Sequence, residues 1–345
     1  MTSVIILGMQ SLGRTAKIII AMFVIGCCLF TVAVAKAAGP SAQVDFGRLT
    51  HPKNQMGFMH GAINASRNSS ARSEIVSRAY QLQPGLWRGA NAFWSFNLGV
   101  TQEAGATPIH ILSDQWISVT PQPKPGCNEM FLNRSLPFQN LTAWRDWVIA
   151  RAQELGQNQP SGTIWVDIWN EPDWYRFWPT KRNDRCFSKN LVDTDGSKWL
   201  NTFLVAEQAL RKTLGSRVKI IGPSAATSVT LWTTKLINFC AAKGCRVDAI
   251  SWHLCGGTQG SVDKIIEYTG KLRASLARDS KWRKASAGGA TPVWMTEYMP
   301  APMHLLTGAY TSYWYALERA GVDGGALAEW NDQDASLDSL LERNG

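Results

Sequence analysis

The chain has 345 residues, 45% of them hydrophobic and 18% charged, proportions of a folded globular protein that exclude a long disordered chain. The formal net charge is +9, but the basic residues are scattered singly, which indicates a solvated basic surface rather than a nucleic-acid groove. The 16 Trp exceed what a core of this size needs, and flat aromatic faces stack on sugar rings, so the excess favours a carbohydrate ligand.

In chain order, Arg14 and Lys17 precede an apolar run from Ile18 to Val34. Two small-x-small patterns close it, Ala33-Val34-Ala35 and Ala35-Lys36-Ala37. This is the layout of a secretory signal, and the run is also just long enough to span a bilayer. Residues 1–37 are therefore expected to be a signal peptide or a membrane anchor. Val24-Ile25-Gly26-Cys27 looks like a lipoprotein cleavage box, but the apolar residues that continue to Val34 argue against it. Each reading sends residues 38–345 across a membrane, as a secreted, periplasmic or extracellular domain, with or without a tether through Ile18 to Val34. Beyond that segment stand Cys127, Cys186, Cys240, Cys245 and Cys255. Cys240 and Cys245 are close enough for a local bridge, Cys127 and Cys186 lie in long polar loops and are able to pair, and Cys255 is left free. No zinc spacing occurs among them. Acceptor sequons stand at Asn64, Asn68, Asn133 and Asn140, of consequence only in a glycosylating host.

Short apolar runs then alternate with helical patterns, the mark of βα units on a parallel sheet. Strands are expected at 56–59, 85–88, 108–112, 163–168, 218–221, 247–251, 292–295 and 325–328. Helices are expected at 141–155, with Thr142 as N-cap and Gly156 closing it, at 197–214 and at 261–278. Eight such units predict a closed (β/α)8 barrel more than an open doubly wound sheet. The long irregular stretches 119–140 and 173–195 follow strands, so they belong to the C-terminal face, where barrel enzymes keep their active sites. After Trp330 only a short final helix fits, around 336–343.

The stretch that carries chemistry is Ile164-Trp165-Val166-Asp167-Ile168-Trp169-Asn170-Glu171-Pro172. A strand runs straight into Asn-Glu-Pro, which puts a carboxylate at the barrel mouth; an ordinary solvated Glu in a turn is the bland alternative. Pro292-Val293-Trp294-Met295-Thr296-Glu297-Tyr298 is a second strand ending in Glu, with a rim salt bridge as its bland alternative. Period-two alternation puts Val293, Met295 and Glu297 on one face, expected to be the barrel interior. Glycoside hydrolysis needs two carboxyl groups flanking one bond, one protonated and one ionised. Strands four and seven lie across the mouth from each other, so Glu171 and Glu297 are able to face one bond.

On these motifs the chain resembles clan A of the glycoside hydrolases, and most of all family 39, the group of β-xylosidases, α-L-iduronidases and exopolysaccharide hydrolases. The resemblance covers roughly 55–332. It implies Glu171 as acid/base and Glu297 as nucleophile. It implies substrate contacts from Asn170, Arg88, His253 in Ser251-Trp252-His253, Trp330 and His60, with Arg88 keeping the nucleophile ionised. Where the clan often has a Tyr two residues after His253, this chain has Cys255, and Tyr298 alternates to the wrong face to replace it. The implied function is a retaining hydrolase of a β-linked oligo- or polysaccharide, without cofactor or metal. The rival readings are a catalytically weak glycan-binding barrel and a transglycosylase using the same site. His51 and His304 read as loop residues, and His110 as a satisfied polar group inside a strand; a metal site from His60, His110 and His253 is disfavoured by their spacing.

Overall fold

Eight parallel strands pair in chain order and close into a barrel. They are β1 (Gln55–Met59), β2 (Leu86–Arg88), β3 (Thr107–Ile111), β4 (Ile164–Asp167), β5 (Val218–Ala225), β6 (Ala249–Leu254), β7 (Val293–Tyr298) and β8 (Gly324–Leu327), with β8 paired to β1. The computed structural model describes residues 55–59, 77, 80–89, 95–117, 136–180, 189–227, 229–254, 262–299 and 307–328. The targeting segment, His51, His60, Cys127, Cys186, Cys255, His304, Trp330, the sequons at Asn64, Asn68 and Asn133, and the expected final helix lie outside them. Among the described residues no helix is long and apolar enough to cross a membrane.

Between the strands run α1 (Ser95–Glu103), α2 (Leu112–Ile117), α3 (Leu141–Asn158), α4 (Ser197–Leu214), α5 (Val229–Lys243), α6 (Val262–Arg278), α7 (Ser280–Ala285) and α8 (Thr307–Ala320). All eight expected strands are present, as are the helices expected at 141–155, 197–214 and 261–278. Two local expectations are corrected. The N-cap of α3 is Asn140, whose Oδ1 accepts from the backbone N of Ala143 at 3.0 Å, two residues ahead of the Thr142 that the sequence suggests. The helix also passes through Gly156 to Asn158, because Leu155 is fully buried and carries the apolar stripe of Trp144, Val148 and Ala152 one turn further.

The core has two layers. The barrel interior is filled by Met59, Leu86, Ile109, Ile221, Ala249, Trp294 and Ala326, with Trp165 packed against them. The larger layer lies between strands and helices and includes Phe58, Trp87, Val166, Ile220, Ile250, Val293 and Met295. This corrects the face assigned to β7: Val293 and Met295 pack outward, and Trp294 is the interior residue. Trp165 and Trp294 meet with ring centroids 4.5 Å apart, joining β4 to β7 inside the barrel. At β1 the wall leaves no space for a side chain: a Cβ on Gly57 would stand 1.6 Å from the Leu86 carbonyl oxygen.

The Trp excess goes mostly into packing, since Trp87, Trp144, Trp169, Trp178, Trp199, Trp232, Trp252, Trp282 and Trp294 are all buried. Cys240 at the end of α5 is bridged to Cys245 with a Cα–Cα separation of 4.4 Å, as the spacing predicts. His110 is fully buried in β3, and burial lowers its pKa to about 4 despite Gln159 nearby. It is neutral, with the Gln159 side chain as its polar neighbour, although neither ring nitrogen has a partner at hydrogen-bond distance among the described residues.

The Trp165–Trp294 contact makes a stability prediction. Trp294→Ala would leave a cavity in the barrel interior, and a loss of about 3–5 kcal/mol is expected. Urea unfolding of the two proteins measures it; a loss below about 1 kcal/mol would show that the pair does not hold the barrel.

Candidate active site

β4 ends at Asp167, and the chain leaves the sheet through Ile168-Trp169-Asn170-Glu171. Ile168 and Trp169 both enter the outer apolar layer, so strict alternation ends at the strand tip. Trp169 lies in an aromatic wall, edge-on to Trp144 and Trp178 at 6.1 and 5.0 Å. Its Nε1 donates to the Phe177 carbonyl at 3.1 Å, and Trp178 Nε1 donates to Asp193 Oδ2 at 2.8 Å. These contacts fix the backbone that carries Asn170 and Glu171. Asn170 N donates to Ser113 Oγ at 3.0 Å, and Glu171 N donates to the Ser224 carbonyl at 3.0 Å. Glu171 and Ser224 have φ of 46° and 54°, the left-handed region, which costs a non-glycine residue about 1–3 kcal/mol. Asp173 holds the turn from the other side by accepting from the backbone N of Ala226 and of Thr227 at 2.9 and 2.7 Å.

β7 delivers Glu297 by a different device. Ser251 pairs with Trp294 and Trp252 with Met295, but His253 pairs with Glu297. Thr296 is thus an extra residue on β7, a bulge that shifts the alternation by one. Without it Trp294 in the interior would put Thr296, not Glu297, at the mouth. Glu297 therefore reaches the mouth, as the sequence leads one to expect, though not by the face-sharing with Val293 and Met295. Tyr298 does point away: it is buried in the outer layer, stacked on Tyr313 at 5.8 Å, and its hydroxyl accepts from Trp314 Nε1 at 3.2 Å.

The structure brings five of the expected site residues together. Arg88, at the tip of β2, is fully buried. Its Nη2 donates to Asn170 Oδ1 at 2.6 Å and its Nη1 faces Glu297 Oε2 at 3.5 Å. A guanidinium only donates, so Asn170 must present its oxygen to Arg88 and turn its NH2 elsewhere. His253 Nδ1 lies 2.8 Å from Glu171 Oε1 and 3.6 Å from Glu297 Oε2. Ligand-type atoms of Glu171, His253 and Glu297 all lie within 4.8 Å of one another. His60 and Trp330, also expected here, are outside the described residues.

Three residues join the site that sequence reasoning missed. Asp167 Oδ2 accepts from Arg88 Nε and Nη2 at 3.1 and 2.9 Å and from Ser224 Oγ at 2.6 Å. Ser224 and Ser251 oxygens are 2.7 Å apart; since the Ser224 proton goes to Asp167, Ser251 donates to Ser224. The inward alternation of Trp165 and Asp167 was the available signal for Asp167. Nothing local marked Ser224.

Burial first, then the Glu297 and Asp173 carboxylates, hold the Glu171 pKa well above the carboxylate range, against Arg88 and Arg176. Burial and the Arg88 charge hold His253 well below the usual imidazole range, so it is neutral. The arrangement thus contains a carboxyl group that retains its proton, a second carboxylate beside a cation, and a neutral imidazole between them.

Comparison with known proteins finds similarity in sequence family and in fold. A family model described as glycosyl hydrolases family 39 matches residues 143–311. A glucosidase from Croceicoccus marinus superposes with TM-score 0.55 at 12% identity, covering 85% of this chain and 64% of that one, so the chain spans just under two thirds of that protein's length. The endo-1,4-beta-xylanase XylE of Penicillium canescens superposes with TM-score 0.49 at 14% identity, covering 79% of this chain and 82% of that one. Residues 143–311 thus resemble the glycoside hydrolases of that family, and the glucosidase shares the fold of the chain.

The raised Glu171 pKa has a consequence for stability. A carboxyl whose folded pKa lies above its unfolded value makes the folded state the better proton binder, so stability falls as pH rises from the unfolded pKa toward the folded one. Glu171→Gln removes that loss and keeps an acceptor for His253. The variant is expected to melt above the wild type at pH 7, with the gap closing near pH 4. Thermal melts at both values check it, and a wild type that is the more stable at pH 7 would refute it.

Proposed function

We propose that this family 39 barrel cleaves the glycosidic bonds of a β-linked oligo- or polysaccharide with retention of configuration, Glu171 serving as acid/base and Glu297 as nucleophile. The observation that carries the reading is the approach of the two carboxyl groups, with one oxygen of each within 4.8 Å of the other. Retaining enzymes hold their carboxyl groups about 5–5.5 Å apart, whereas inverting ones need roughly 6.5–9.5 Å to admit a water.

The roles follow from the environments. Glu171 is buried and keeps its proton, which suits it to protonate the leaving-group oxygen. With Nδ1–H of His253 donating to Oε1, the proton belongs on Oε2, the oxygen without a partner among the described residues. Glu297 stands beside Arg88 and is 15% exposed, so it is ionised and open to the anomeric carbon. Its attack forms a glycosyl-enzyme ester while the Glu171 proton goes to the departing oxygen. Glu171, now a carboxylate, then takes a proton from water as that water cleaves the ester. Asn170, its oxygen held by Arg88, directs its NH2 toward the sugar 2-hydroxyl. Arg88 and His253 both face Glu297 Oε2, which supports their standing in for the Tyr that Cys255 replaces.

The same proposal includes export, with residues 1–37 as a signal peptide or anchor and 38–345 as the catalytic domain outside the cytoplasm. The Cys240–Cys245 bridge supports it, since disulfides persist in oxidising compartments. Cell fractionation that found the intact chain soluble in the cytoplasm would exclude it.

Variant kinetics test the roles. Glu297→Gln is expected to abolish turnover of every substrate, by 10⁴-fold or more. Glu171→Ala should cripple substrates with poor leaving groups yet spare the first step on activated aryl glycosides, with azide rescuing the second step as a β-glycosyl azide. Equal losses from both variants on both substrate types would show the assignment to be wrong.

A further inference from the structure

Asp167 is fully buried at the last position of β4, four residues before Glu171. The cleavage scheme assigns it nothing, yet of the two carboxylates that Arg88 meets it is the nearer. Arg88 directs Nε and Nη2 to Asp167 Oδ2 at 3.1 and 2.9 Å, while its approach to Glu297 is 3.5 Å. The Arg88 charge is thus largely balanced before it reaches the nucleophile.

We propose that Asp167 is a positioning residue that sets the charge of the cleft: it holds the Arg88 fork toward Asn170 and Glu297 while offsetting its charge, so that Glu171 keeps its proton. The inference rests on the hydrolase reading of the site. It involves no bond change at Asp167, which acts through Arg88.

The charged groups that act on Glu171 are Arg88 from β2, Glu297 from β7, and Asp173 and Arg176 from its own loop, with neutral His253 from β6; Asp167 from β4 reaches it through Arg88. Asp167 itself faces Arg88 and the Ser224 hydroxyl, which is in turn bonded to Ser251. Were the guanidinium's charge not offset, it would stabilise both carboxylates. Glu171 would then lose its proton at lower pH, and Glu297, more firmly held as an anion, would be the poorer nucleophile. A positive charge close to the acid is needed for orientation but works against its protonation. Asp167 removes that conflict without removing the arginine.

The test is Asp167→Asn, which keeps the shape and deletes the charge. Both limbs of the kcat/KM profile are expected to move to lower pH by about 0.5–1 unit. On the alkaline side kcat should fall about threefold to tenfold, as Glu171 gives up its proton. Carboxyl ¹³C NMR of glutamate-labelled protein should show the same displacement of Glu171 directly. Asp167→Glu, which keeps the charge but displaces it, should lose rate with both limbs in place. A folded Asp167→Asn protein whose Glu171 titrates as in the wild type overturns the proposal. Should that variant not fold, aspartate-labelled wild type decides. Asp167 must stay ionised throughout the range in which Glu171 titrates, and proton uptake by Asp167 in that range overturns it. A wild type that cleaves no aryl glycoside sinks the hydrolase reading instead, and the NMR titration still reads whether Asp167 governs Glu171.

Discussion

Arg88 is a guanidinium with no exposed surface, and a guanidinium cannot shed its charge to ease burial. Every donor direction must therefore meet an acceptor, and the acceptors it finds organise the mouth of the barrel. Asp167 comes from β4, Asn170 from the turn beyond it and Glu297 from β7. Three strands that are not all neighbours are thereby tied at their tips by one side chain. Replacing it would leave a buried carboxylate without its counter-charge, a defect of about 3–5 kcal/mol. The residue thus serves stability and chemistry through the same bonds.

The rest of the site works against stability. Glu171 is buried with its proton and sits at φ 46°, and its partner Ser224 sits at 54°. Such geometry persists only where the surroundings leave no alternative. Here they are the aromatic wall of Trp144, Trp169 and Trp178 behind the turn, and the Asp173 carboxylate locked onto Ala226 and Thr227. The many tryptophans are consistent with this. A wide, rigid indole whose NH finds a carbonyl or carboxylate holds a loop in place better than a flexible aliphatic chain does.

How much of this was legible in the sequence depends on whether a feature is periodic. Apolar runs bounded by polar turns located all eight strands, because a strand buried on both faces has to be apolar along its length. Asn-Glu-Pro at the end of β4 located Glu171, since Pro172 cannot continue a ladder. Alternation failed at β7, where it predicts Val293 and Met295 inside the barrel. The Thr296 bulge changes the parity, and a single extra residue leaves no compositional trace. Asn140 lost to Thr142 as the expected cap for a related reason: both residue types cap helices, and only the backbone decides which one has the non-helical φ and ψ. Asp167 is one acidic residue among Ile, Trp and Val, and only its alternation with Trp165 points it inward. Its partner is 79 positions away in the sequence, a distance that no local pattern spans.

The bulge and the interior tryptophans bear on the carboxyl separation together. Trp165 and Trp294 fill the interior between β4 and β7, the two strands whose tips carry Glu171 and Glu297. The distance between those strands is fixed by a packed interior layer and by the strand count of the closed barrel, not by loop conformation. The spacing of the two carboxyl groups, on which the proposed retaining route rests, is thus a property of the barrel itself. The bulge then adjusts only direction, turning Glu297 inward in register with His253.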